Sequence, residues 1–207
     1  MKIFFKKNTG YTIIETMISV SLFLVIVTIS VGALLNANLV HRKSQDMRSI
    51  LDNLSFVMED ISRNLRTGYN YHCFRGGDFI PVFTSPLVSS PNSCGDDQGG
   101  WAVAFEFPNG STTNHDDQGV YVIDSTGKIL KSTQGPYSSS NFIQLTPDEI
   151  VIDPSASGFS VLGAESSLFF DEQQPLINIR LVGKIVYKNI DTPFSIQTSM
   201  SQRLVDI

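Results

Sequence analysis

The chain has 207 residues, a formal net charge of −5 and a hydrophobic content of 42%. That is room for one ordinary domain and an anchor, not for several domains. The mild acidic balance argues against a nucleic-acid-binding surface, and the apolar and aromatic content argues against a disordered chain.

The first ten residues, MKIFFKKNTG, are basic, with Lys2, Lys6 and Lys7 and no acid. An apolar run, YTIIETMISVSLFLVIVTISVGALL, follows over residues 11–35. As a helix it would be about 37 Å long, enough to cross a hydrocarbon core of roughly 30 Å. It is too long for the core of a secretory signal peptide, and no small-residue cleavage site follows it. The lysines place the N-terminus on the cytoplasmic side of a single span, with Arg42, Lys43 and Arg48 pulling against that bias. Within the run stands one full charge, Glu15. An acid in a membrane segment is costly and calls for a partner.

No helix breaker separates this run from the next segment. Met47, Ile50, Leu54, Val57, Met58, Ile61 and Leu65 recur at helical spacing and form one apolar stripe. Glu59 and Arg63 stand at i, i+4 in the favoured order. A stop is expected near Thr67 and Gly68. The pattern predicts one helix over residues 11–66, on the order of 80 Å long. Its first part is apolar all round, and its continuation over residues 36–67 has a single apolar face.

From Gly68 the texture changes to short apolar runs among Gly, Pro, Ser, Asn and Asp. WAVAFEF (101–107) alternates, and Trp101 reads as core rather than as a ligand platform. GVYVID (119–124) and GKILKS (127–132) flank a Ser-Thr turn and predict a hairpin. FIQL, EIVI and SLFF are shorter strand candidates. PLINIRLVGKIVYKN (175–189) puts Ile177, Ile179, Leu181, Ile185 and Tyr187 on one face, and PFSIQTSMSQRLV (193–205) does the same with Phe194, Ile196, Thr198 and Met200. The segment NIDTP between them reads as a linker joining adjacent antiparallel strands. The fold class is therefore α+β: a long N-terminal helix, half transmembrane and half amphipathic, packed on a β-rich, mainly antiparallel domain over residues 68–207.

Cys73 and Cys94 are an even set, able to pair if this part lies outside the cytoplasm and otherwise two free thiols. Two cysteines at that spacing make no zinc site. The acidic pairs Asp96–Asp97, Asp116–Asp117, Asp148–Glu149 and Asp171–Glu172 lack the alternating pattern of a calcium loop and read as solvated turns. His41, His72 and His115 are scattered. His115 beside Asp116 has no nucleophile motif to serve and reads as exposed loop. No catalytic residue, metal site or cofactor is expected.

The stretch KKNTG followed by YTIIETMISVSLF combines a basic leader, a Gly at the junction, an acid fifth after that Gly and an apolar helix leading into a β domain. It resembles the cleavage and methylation signal of type IV pilins and their relatives, the minor pilins and the pseudopilins of type II secretion. The tail QTSMSQR (197–203) is similar to the final strand of minor pilin-like proteins. Tyr11 stands where members of that family usually carry Phe. The mid-helix Pro of many major pilins is absent, with Gly32 at the corresponding weak point.

The resemblance implies a leader over residues 1–10, cut by a prepilin peptidase after Gly10, and N-methylation of Tyr11. It implies a transmembrane and assembly helix over residues 11–35, with Glu15 pairing the new amine of a neighbouring subunit. The implied protein is a non-enzymatic structural subunit of a pilus or pseudopilus fibre, first held in the bacterial cytoplasmic membrane with its C-terminal domain outside. Its implied partners are other pilin or pseudopilin subunits, the prepilin peptidase, the inner-membrane assembly platform and membrane lipid. Two other classes stay open: a tip adhesin or ligand-binding pilin, and a single-pass anchored protein of other function. Pilus, secretion and competence systems remain equally compatible with the sequence.

Overall fold

The computed structural model describes residues 10–75, 90–95, 99–135, 138–164, 174–187 and 190–203. The leader lysines, the SLFF strand candidate and the pairs Asp96–Asp97 and Asp171–Glu172 lie outside them. The chain divides into two compact units, residues 1–48 and residues 49–207.

A single helix, α1, runs Ile13–Thr67. It begins two residues later than the apolar pattern alone suggests. Thr12 supplies the reason. Its side-chain oxygen accepts the Glu15 N–H at 3.3 Å, and its carbonyl accepts the N–H groups of Glu15 and Thr16. A Thr with an acid three residues on is a capping pair that satisfies otherwise orphaned donors.

In the first unit, the α1 residues from Ile13 onward expose their apolar side chains, Leu24 at 58% for example. The hydroxyls of Thr16, Ser19, Ser21, Thr28 and Ser30 each donate to a carbonyl one turn back, at 2.7–2.9 Å. That arrangement hides the run's hydroxyl donors from an apolar surrounding. The helix is long and apolar enough to span a membrane. Gly32 lies within the unbroken helix, and a side chain there would meet nothing.

The second unit holds the rest of α1 and the strands. Ile50, Leu54, Val57, Met58, Ile61 and Leu65 are buried, as the stripe predicts, while Met47 is only half-buried. The helix ends where Gly68 must be glycine for a steric reason. A Cβ there would lie 2.5 Å from Phe105 Cδ2 and 3.1 Å from the Glu106 carbonyl oxygen. Tyr71, fully buried, sets its hydroxyl 2.5 Å from the carbonyl oxygens of Leu65 and Gly68 and so satisfies the helix end. Burial pushes that hydroxyl's pKa well up, so it remains a donor.

Two antiparallel sheets follow. The first has the order β1 (Tyr69–Phe74), β2 (Ala102–Glu106), β3 (Gln118–Ile123), β4 (Ile129–Ser132), β5 (Ile143–Gln144). The predicted hairpin is β3–β4, turned at Gly127 with φ of 76°. β2 alternates in sequence as a half-exposed strand would, yet all five of its residues are buried, as are all six of β3.

The second sheet centres on β8 (Leu176–Tyr187). β6 (Ile150–Ile152) and β7 (Gly158–Leu162) share one of its sides, and β9 (Ile190–Ser201) takes the other. Ile177, Ile179, Leu181 and Ile185 form its buried face, and Tyr187 is half-buried. The register between β8 and β9 runs from Leu176↔Ser201 to Tyr187↔Ile190. Most of the expected NIDTP linker, from Ile190 to Pro193, therefore belongs to the strand.

Cys73 and Cys94 are joined by a disulfide, both residues fully buried. It ties β1 to a segment that bridges Val161 of β7 through paired backbone bonds of 2.7 and 2.9 Å. A second bridge, Gly100↔Phe159, links the sheets again. A closed loop of this length stabilises by about 3 kcal/mol in the chain-entropy description.

Candidate functional site

Three polar features of the described residues stand out, and each lies wholly within one unit. The first is the start of α1. Gly10 and Tyr11 are exposed, and a side chain added at Gly10 would meet nothing within 4 Å. Nothing among the described residues therefore demands a glycine there. Glu15 sits in the first helical turn, where the helix dipole favours an acid. Its backbone is fully engaged, but its carboxylate has no hydrogen-bond or ion-pair partner among the described residues. Around it lie the exposed side chains of Ile13, Ile14, Met17 and Ile18. The sequence singled out Gly10, Tyr11 and Glu15. It missed Thr12, although the Thr-x-x-Glu spacing was available as a signal.

The second feature joins α1 to the first sheet. Lys131 Nζ on β4 donates to Asp60 Oδ2 at 2.8 Å, and the Tyr121 hydroxyl on β3 donates to the same oxygen at 2.9 Å. Asn64 Nδ2 donates to Tyr121 Oη and to Asp60 Oδ1. Lys131 also stands 5.6 Å over the Tyr121 ring, a cation–π position. Burial pushes the Asp60 carboxyl up. The hydrogen bonds from Lys131, Tyr121 and Asn64, with the Lys131 charge, outweigh it and hold the group below its usual range. Each polar group here answers another, so the cluster reads as a structural lock. Glu106 on β2 is different: fully buried, it accepts from Gln118 Nε2 at 2.6 Å on one oxygen, and its other oxygen has no hydrogen-bond partner among the described residues. Burial, with the nearby Asp117 charge, holds its carboxyl above the usual range against the Gln118 bond.

The third feature is a groove of about 420 Å³ between the last turns of α1 and β9. Glu59, Arg63, Arg66, Ser199 and Arg203 line it. Arg63 pairs with Glu59 at 2.9 Å; Arg66 and Arg203 have no ion-pair partner among the described residues. The Arg203 N–H donates to the Arg66 carbonyl at 2.8 Å, which fixes the end of β9 against the helix. The sequence did not bring these arginines together, because residues 66 and 203 meet only through the fold.

Of the other residues the sequence raised, Trp101 is buried as core. His115 lies in the loop between β2 and β3, as expected, but is half-buried rather than exposed, its carbonyl packed against Gly135. His41, His72 and His115 are not brought together, and no group of three His, Cys, Asp or Glu residues among the described residues is placed to hold a metal ion. Comparison of the chain with models of known protein families, with curated proteins and with solved structures returned no match.

Proposed function

We propose that this protein is a structural subunit of a type IV pilus or type II secretion-like fibre, a minor pilin or pseudopilin. It is cut after Gly10 by a prepilin peptidase, methylated on Tyr11 and assembled through α1. The observation that carries this reading is the start of α1. An all-round apolar helix exposes its side chains, hides its hydroxyls and leaves one carboxylate, Glu15, without a partner among the described residues. Such a helix suits lipid first and a bundle of like helices afterwards.

The cut supplies what Glu15 lacks. It frees an amine at Tyr11, which stays charged at neutral pH as a secondary amine. In a dry bundle an unpaired acid is costly, so pairing with the amine of a neighbouring subunit forms only in one register. Glu15 then fixes the stagger of subunits along the fibre. Gly10 fits the same account, since a glycine that no described residue requires suits recognition by an external peptidase. A large β domain stabilised by a disulfide agrees with a location outside the cytoplasm.

The test is Glu15→Ala in a cell that builds the fibre. The expected outcome is normal cleavage and normal membrane insertion, with incorporation into fibres reduced at least about tenfold, the scale of one lost pairing of roughly 1.4 kcal/mol or more. Unchanged incorporation refutes the register role.

A further inference from the structure

Among the described residues, β9 has β8 on one side only. The direction of its backbone groups follows from the register. The Gln202 N–H donates to the Pro175 carbonyl at 3.0 Å, next to the Leu176↔Ser201 pair. Antiparallel pairing alternates bonded and non-bonded pairs, so the even-numbered residues of β9 bond β8. The odd-numbered residues, Asp191, Pro193, Ser195, Gln197, Ser199 and Ser201, turn their N–H and C=O groups away from it. The opposite side of β8 obeys the same parity: the Val186 N–H donates to Glu149 and the Val182 carbonyl accepts from Asp153. Pro193, which has no N–H, falls on the outward parity, where none is needed. No backbone partner for these outward groups occurs among the described residues.

Such an edge invites another strand, and folded proteins usually blunt it. One end of β9 is blunted, by Pro193 and by the Asp191–Lys184 ion pair at 2.7 Å. The other end, from Ser195 to Ser201, has no proline and no charged side chain. Ser199, an outward position, also lines the arginine groove. Three cations and one acid line that groove, on a chain whose net charge is −5.

We propose that the β9 edge from Ser195 to Ser201 is a docking site for an extended acidic segment of a partner protein. The segment adds as a further strand on the outward backbone groups and places a carboxylate by Arg66 and Arg203. Backbone pairing supplies affinity in this mode, and the arginines supply the choice of an acidic sequence. The proposal rests on β9 and the groove and does not depend on fibre assembly.

The probes are two fluorescein-labelled six-residue peptides, one alternating valine with glutamate and one alternating valine with lysine. They are titrated against the full-length chain in neutral detergent at low salt. The glutamate peptide is expected to bind at least about tenfold more tightly than the lysine peptide. Ser199→Pro removes one outward N–H at an exposed position, as Pro193 already does in the same strand, and is expected to weaken binding at least about tenfold. The pair Arg66→Gln and Arg203→Gln, exposed side chains whose change leaves the strand intact, is expected to abolish the preference for glutamate. Equal binding of the two peptides, binding that survives both sets of changes, or none at millimolar peptide overturns the proposal. So does self-association of the chain that Ser199→Pro abolishes, because the occupant would then be a second copy.

Discussion

The two parts of α1 share one backbone geometry and differ in what surrounds them. Leu24 is 58% exposed and Leu54 is fully buried, yet both are leucines in the same helix. In residues 49–67 a single stripe faces the β domain, and polar residues such as Asp60 and Asn64 reach across to Lys131 and Tyr121. In residues 13–35 there is no stripe, because every face is apolar, and the first-turn acid, Glu15, has no partner among the described residues. The contrast shows how one helix can serve two environments. A one-sided pattern marks a helix completed by its own chain, and an all-round pattern marks one completed by lipid or by other chains.

The largest effect should come from the same truncation made in each part. Leu54→Ala is expected to destabilise the β domain by roughly 2–5 kcal/mol, the usual range for a buried leucine. Leu24→Ala is expected to change it by less than about 0.5 kcal/mol. Denaturant unfolding in detergent, followed through the fluorescence of Trp101, measures both. Equal effects would erase the distinction between the two parts. Next comes Cys73→Ser with Cys94→Ser, expected to lower stability by about 3 kcal/mol in the same assay without altering the membrane association of α1.

A smaller effect sharpens the account of the lock. Asp60→Asn is expected to cost about 1–2 kcal/mol near neutral pH, discounted from a buried charged bond because the pair is partly exposed. The folded Asp60 carboxyl lies below its ordinary value, so its contribution is present above the unfolded value and is lost as pH falls through the folded one. Wild-type stability should therefore drop below about pH 4, and the Asp60→Asn difference should vanish there. Glu106 has the opposite sign. Its carboxyl is held above the ordinary value, so it favours the fold in acid and withdraws stability as pH rises past that value. Glu106→Gln is expected to gain about 1 kcal/mol at neutral pH by removing a buried charge with one unanswered oxygen. A loss of stability there would show that the carboxylate is satisfied in solution.

Much of this fold was legible in the sequence because long periodic segments speak clearly. The Ile50 to Leu65 stripe, the β3–β4 hairpin and the alternating face of β8 follow from spacing alone. Other elements were hidden for physical reasons. β1 was missed because YNYHCF has no clean alternation: its pairing with β2 shifts register between Tyr69 and His72, and Asn70 adopts φ of 53°. β7, GFSVL, is short and mostly buried, so it offers no period to count. Ile190 to Pro193 looked like a linker because Asp and Pro usually leave strands, but an edge strand tolerates a proline whose nitrogen faces outward. At the candidate sites, the signals around Gly10, Tyr11 and Glu15 are contiguous and readable. The arginine groove is not, since Arg66 and Arg203 are far apart in sequence.

The central claim is that the bond between Gly10 and Tyr11 is cut to complete the unanswered end of α1. Mass spectrometry of the intact protein, purified from the membranes of a cell that carries a prepilin peptidase, tests it most directly. The account predicts a chain that begins at Tyr11 and carries one added methyl group on its terminal amine. A chain that still begins at Met1, or begins anywhere other than Tyr11, contradicts it.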